Sequence, residues 1–224
     1  MSRADDIYRE TCLDILENGW SDEGLEVRPR WEDGTPAHTI KKFCVVNRYD
    51  LRKEFPLMTL RKTGVRNCID EILWIWQKKS NRIADLHSHI WDAWAGPDGT
   101  IGKAYGYQLG VKHKYAEGEF DQVDRVLYDL KHNRASRRIM TNIYNHADLH
   151  EMNLYPCAYS MTFNVTGNYL KGADIGVSTF VFGTHHGLSK AGGAVAPVAR
   201  LAAVADSEEV LVCVGQVGDI IDIK

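Results

Sequence analysis

The chain has 224 residues, of which 44% are apolar and 25% charged, within the range of a soluble globular protein. A net charge of −3 is too small to steer nucleic acid, whose tracking surfaces carry a concentrated basic excess, so any basic site is local. The five cysteines, Cys12, Cys44, Cys68, Cys157 and Cys213, are odd in number, widely spaced and without a Cys-x-x-Cys pair, and read as reduced thiols.

Residues 4–18 place Tyr8, Cys12, Ile15 and Leu16 on one apolar face and end at Gly19, which predicts a first helix. The start opens directly into this polar helical pattern with no signal peptide, and no apolar run approaches the roughly 18 residues of a membrane span, so a cytoplasmic location is expected. Residues 21–38 carry turn formers and read as an irregular loop holding Arg28 and Arg30, followed by extended candidates at 39–50 and 55–61. A second helix is predicted over 66–78, with Ile69, Ile72, Leu73 and Trp76 inward and Glu71 beside that face, an unusual place for a carboxylate. The aromatic, glycine-rich stretch 85–110 shows no clean period and reads as loops with short elements. A third helix over 121–133 turns Val123, Val126, Leu127 and Leu130 inward, and 139–145 and 157–165 read as strands.

Interleaved helices and strands point to an α/β (α+β) fold, a mixed sheet covered by helices, and no linker interrupts the first 170 residues, so a single domain is expected. Beyond Lys171 the character changes. Residues 172–193 are glycine-rich, with 187–193 reading as a flexible loop; 196–206 read as an Ala-rich helix, and Glu209–Ile223 as two short strands. The expected division is a body over 1–171 and a divergent segment over 172–224 belonging to the same domain. His87-x-His89 with Asp85 and Asp92 has no third histidine or cysteine at zinc spacing, and His185-His186 has no partner pattern, so no metal is expected.

Several short words occur in a fixed order: Asp33-Gly-Thr-Pro-Ala-His-Thr39, Phe55-Pro-Leu-Met-Thr59, Asp70-Glu-Ile-Leu-Trp74, Ile90-Trp-Asp-Ala-Trp94, Tyr105-Gly106, Asp121-Gln122, Ser136-Arg-Arg138 and Pro156-Cys157. Over roughly residues 5–171 the chain resembles the thymidylate synthases, particularly those of Bacillus type. The resemblance implies a pyrimidine nucleotide C5 transferase that converts dUMP and 5,10-methylenetetrahydrofolate to dTMP and dihydrofolate. A pyrimidine C5 is a poor nucleophile, so such an enzyme adds a thiolate at C6 and turns C5 into part of an enolate. Cys157 is the implied thiolate and Glu71 the implied general base acting through water.

Arg137 and Arg138 are implied phosphate ligands that reach the neighbouring subunit's nucleotide, and hence imply a homodimer. Arg28 is the nearest candidate for a further phosphate arginine, with Arg30 an equal alternative. Trp91, Trp94 and Tyr105 are implied walls of the folate and pyrimidine pocket. Asn145 ends a strand where the family often has a Trp-Asn word, and no role is assigned to it.

The words the family carries after the cysteine strand are absent. By spacing, Val177 and Phe180 fall where an arginine and an aspartate stand, with Lys171, Lys190 and Arg200 as candidate substitutes. The resemblance therefore leaves three outcomes open: a methyl transferase, a transferase with an altered pyrimidine substrate or a hydroxymethyl product, and a non-catalytic homologue with a binding role.

Overall fold

The computed structural model describes residues 2–60, 62, 64–166, 169–176, 180–185, 209–213 and 217–223. Helix α1 (Arg3–Asn18) begins at a reciprocal cap: the Ser2 hydroxyl accepts the Asp5 N–H at 3.2 Å and the Asp5 carboxylate accepts the Ser2 N–H at 2.8 Å. That carboxylate is fully buried and also accepts the Thr59 N–H at 2.7 Å, the Thr59 hydroxyl at 2.5 Å and the Leu60 N–H at 3.2 Å. Burial pushes the Asp5 carboxyl upward, but the Thr59, Ser2 and Leu60 donors outweigh it and hold the group well below the usual carboxylate range.

The expected strand at 55–61 is thereby corrected, because the donors at 59 and 60 go to a carboxylate rather than to a ladder and the described residues there form no strand. The inner face of α1 is also rotated from the expected one. Ile7, Tyr8, Thr11 and Ile15 are buried, whereas Leu16 is exposed.

Short strands β1 (Trp20–Ser21), β2 (Thr39–Lys42) and β3 (Asn47–Asp50) follow. Helix α2 (Val65–Ile72) then runs into one π-helical turn, Leu73–Gln77, in which the Lys78 N–H returns to the Leu73 carbonyl at 2.9 Å. A wider turn advances the chain by an extra residue and rotates the side chains that follow. Trp74 and Ile75 are buried as a result, and Ile69, Ile72 and Leu73, expected inward, are exposed.

Helix α3 (Gly106–Gly110) leads to a hairpin, β4 (His113–Tyr115) with β5 (Gly118–Phe120), that sequence periodicity did not reveal. Helix α4 (Gln122–His132) is capped by Asp121, whose carboxylate accepts the Asp124 N–H at 2.9 Å. Its buried face is Val126 with Asp129, and Leu127, expected inward, is exposed. Beside that face Arg125 pairs with Asp129 at 2.9 Å and lies 4.6 Å over the Tyr115 ring, so a stacked ion pair shares the packed side of the helix.

Strands β6 (Ile139–Asn142), β7 (Ala158–Thr166), β8 (Tyr169–Gly176), β9 (Phe180–His185), β10 (Glu209–Cys213) and β11 (Val217–Ile223) complete two sheets. One has the order β3-β11-β8-β7-β6, antiparallel except for the parallel β11–β3 pair; the other is β1-β2-β9-β10. β8 runs through Lys171, and β10 and β11 occupy the stretch read as two short strands. Val177, His186, Gly187–Gly193 and the expected 196–206 helix lie outside the described residues.

One apolar core gathers Trp74, Ile75, Leu86, Trp91, Ile101, Ala104, Tyr105, Leu109, Ile143 and Met152. Among the described residues no helix is long and apolar enough to cross a membrane.

Asp5 ties α1 to the 55–60 segment, so Asp5→Ala is expected to cost about 3–5 kcal/mol in a urea titration at neutral pH, by loss of charged hydrogen bonds and exposure of their donors. Because its folded pKa is depressed, the Asp5 contribution is present above the ordinary carboxylate pKa and fades as pH falls through and below it, so the gap between variant and parent should narrow in acid.

Candidate active site

The site lies where the core meets β7. Pro156 leads the chain into that strand and leaves Cys157 exposed at its entrance. The Cys157 N–H donates to the hydroxyl of Tyr105 at 3.0 Å, a contact between residues 52 apart in sequence. Tyr105 is buried. Burial is the largest influence on the phenol and, with the thiol and Glu71 nearby, keeps it protonated well above its usual range. A protonated phenol can donate to a thiolate while accepting the N–H behind it.

The Tyr105 ring meets Trp91 edge-on, centroids 5.3 Å apart, and Trp91 in turn packs on Trp94 at 5.4 Å and Trp74 at 5.9 Å. A buried indole N–H needs an acceptor. Trp91 finds it in Glu71, at 2.6 Å. Glu71 is half-buried on the last turn of α2, and burial raises its proton affinity above that of an ordinary glutamate, with the Trp91 hydrogen bond opposing. The expectation of a carboxylate tuned by apolar surroundings thus has a geometric basis, and the same network contains all three aromatic candidates. Trp94 is only partly buried, so its ring is the most open of the three.

Arg137 and Arg138 stand exposed in the turn between α4 and β6, where the Ser136 hydroxyl accepts the Arg138 N–H at 3.1 Å. Arg28 is exposed in the irregular segment before β2. Among the described residues none of these three forms a hydrogen bond or ion pair with Cys157, Glu71 or Tyr105, so within one chain the cations and the thiol are not joined.

Asn145, left without a role by sequence, belongs to a polar network below the site. Its amide donates to Asp148 at 2.7 Å and Gln108 at 3.3 Å, and Gln108, almost fully buried, donates to Asp148 at 2.9 Å. Gln122 bridges on to the Gln108 and Asn142 carbonyls at 2.8 and 2.9 Å. The network fixes α3, and with it Tyr105 and Gly106, against the end of β6. Gln108 lies three residues past Tyr105 in a stretch without clean periodicity, so nothing local marks it. His87 and His89 are turned to Asp70 and Asp92 at 2.8 and 2.9 Å, and among the described residues no three metal-binding side chains converge.

The family model described as thymidylate synthase matches residues 6–179, a span that holds Arg28, Glu71, Trp91, Trp94, Tyr105, Arg137, Arg138 and Cys157. The chain belongs to the thymidylate synthase family. It is 46% identical over 170 residues to a thymidylate synthase of Bacillus subtilis subsp. natto and 45% identical over 170 residues to that of Bacillus phage phi3T, covering 74% of this chain and 61% of each relative. The solved structure of thermostable thymidylate synthase A from Bacillus subtilis superposes with a TM-score of 0.72 at 42% identity, covering 77% of this chain and 63% of that one. The chain therefore spans about three fifths of the length of these thymidylate synthases.

Within the thymidylate synthase body, Glu71 yields a stability test. Its folded pKa is raised, so the folded state holds its proton more tightly than the unfolded chain, and Glu71 favours folding least once pH passes its folded pKa. Glu71→Gln is therefore expected to melt higher than the parent at pH 8, by calorimetry, with the difference shrinking toward pH 4.

Proposed function

We propose that this chain is a thymidylate synthase, transferring a one-carbon unit from 5,10-methylenetetrahydrofolate to C5 of dUMP with Cys157 as nucleophile, and yielding dTMP and dihydrofolate. The observation that carries the reading is the exposed Cys157 tethered through its backbone to buried Tyr105, with Glu71 held by Trp91 on the other side of the same aromatic cluster. Family membership supplies the reaction class, and the site supplies groups of the right chemistry.

The Cys157 thiolate adds to C6 of the uracil ring, and the pair of electrons displaced from the C5–C6 bond makes C5 an enolate carbon able to attack. The Tyr105 hydroxyl, already the acceptor of the Cys157 N–H, stands where its O–H can donate toward the sulfur and steady its charge before attack. Once C5 has bonded to the one-carbon unit, Glu71, with raised proton affinity, accepts the C5 proton through water, and the electrons of that C–H bond expel the folate nitrogen. Hydride delivery to the resulting exocyclic carbon then restores the C5–C6 double bond as the thiolate leaves C6, which restores Cys157.

The wall of Trp91, Trp94 and Tyr105 suits a flat heteroaromatic ring, with Trp94 the most open face. When bound there, the folate supplies the one-carbon unit and the reducing hydride. Arg137, Arg138 and Arg28 are exposed guanidiniums suited to bidentate contact with the dUMP phosphate. That Arg137 and Arg138 are unjoined to Cys157 within the chain supports a homodimer in which each chain's pair serves the other's site. A reducing cytoplasm, which keeps Cys157 a thiol, completes the reading.

Tritium release from 5-tritiated dUMP in the presence of methylenetetrahydrofolate tests the reaction. The parent should release tritium, and Cys157→Ser should lower the rate by about 10⁴-fold or more. Arg137→Ala should raise KM for dUMP by about 10–100-fold with a smaller change in kcat, as expected for loss of one charged hydrogen bond. No release from the parent contradicts the proposal.

A further inference from the structure

Among the described residues three besides glycine adopt left-handed backbone: Cys44, on the surface, Lys79 at φ 51° and Tyr105 at φ 45°, the last next in sequence to Gly106, which packs on the Lys79–Ser80 backbone. Lys79 follows the π-helical turn, and the Ser80 N–H returns to the Trp74 carbonyl at 3.2 Å, closing the helix end around the left-handed residue. Opposite it, Gly106 approaches so closely that a Cβ there would stand 2.2 Å from the Ser80 carbonyl oxygen, 2.6 Å from the Ser80 nitrogen and 2.9 Å from the Lys79 carbonyl carbon. These contacts are all backbone, so no side-chain movement relieves them.

The Lys79 ammonium is held from the far side. It reaches Asp121 at 2.7 Å and Asp124 at 3.1 Å, and Lys112 joins Asp121 at 2.8 Å. Asp121 is nearly fully buried and caps α4, so Lys79 is anchored to a fixed helix start. On the near side, Tyr105 is flanked by buried Ala104 and Gly106, and its hydroxyl accepts the Cys157 N–H at 3.0 Å.

We infer that the left-handed turn at Lys79, by packing its backbone on Gly106, aims the Tyr105 hydroxyl at Cys157, which makes Lys79 and Gly106 positioning residues for the nucleophile. The inference rests on Cys157 being the nucleophile proposed above. Neither Lys79 nor Gly106 touches the reacting atoms; both act through Tyr105. The ion pair holds a lysine in backbone geometry that glycine adopts freely and valine resists. Glu71 is the other titratable group acting on Tyr105, and it stays in place in every variant below.

Site-resolved alkylation by iodoacetamide between about pH 6 and 10, read by peptide mass spectrometry, tests this without nucleotide or folate. Exposed Cys44 and Cys68 serve as controls within the same chain. Lys79→Val and Lys79→Gly both lose the pair with Asp121, but only glycine keeps the turn. The alkylation rate of Cys157 at pH 8 relative to the controls is expected to fall by about threefold or more in Lys79→Val and Tyr105→Phe, and to stay within about 1.5-fold of the parent in Lys79→Gly. The two control cysteines should keep the parent's rates.

Equal losses of rate in the valine and glycine variants, or no loss in the valine variant or in Tyr105→Phe, overturn the inference. If the valine chain does not fold, Lys79→Ala takes its place, with a smaller loss expected and no loss overturning. A parent that alkylates as expected yet releases no tritium from dUMP sinks the catalytic proposal alone.

Discussion

A hydrogen bond of 3.0 Å between the Tyr105 hydroxyl and the Cys157 N–H joins the two halves of the site. Tyr105 belongs to the aromatic core and the start of α3, Cys157 to the entrance of β7, and 52 residues separate them. Left-handed backbone at a residue that bears a Cβ is unfavourable by about 1–2 kcal/mol. The surroundings offset it: Gly106 is locked against Ser80, the Gln108–Asp148–Asn145 network grips α3, and the Tyr105 ring is buried against Trp91. A strained residue over-determined on three sides is a stiff support, and stiffness is what a thiol needs if it is to meet a ring carbon in one orientation.

The same cluster places Glu71. Trp91 is a packing residue toward Trp74, Trp94 and Tyr105 and a hydrogen-bond donor toward Glu71, so the carboxylate is placed by the core itself. Burial favours its protonated form, the indole N–H its ionised form, and burial prevails. A base near such a balance changes state readily when water enters or a ligand displaces it. The arginines Arg28, Arg137 and Arg138 stand in the opposite environment, exposed to solvent.

The order of short words in the sequence marked Cys157, Glu71, the arginine pair and the three aromatics, because each carries chemistry in its residue type. The connections between them were not legible. Glu71 follows Asp70, which is spent on the His87 and Ser88 backbone, and only the fold assigns Glu71 rather than its neighbour to Trp91. Trp76 was grouped on one face with Ile69, Ile72 and Leu73 because an ideal α-period was extended through residues 73–77. One π-helical turn defeats that period, and no residue type announces it. The 55–60 segment failed for a different reason: the buried Asp5 carboxylate takes the backbone donors that a ladder would need. The π turn and the left-handed Lys79 that follows it are also what bring Ser80 against Gly106.

The central claim is that the Cys157 sulfur attacks C6 of a bound uracil ring. It is tested most directly by incubating the protein with 5-fluoro-dUMP and methylenetetrahydrofolate and mapping the product by peptide mass spectrometry. The account predicts a covalent adduct on the peptide that contains Cys157, retained through denaturation and absent from Cys157→Ser. A parent chain that stays unmodified, or an adduct on any other cysteine, contradicts it.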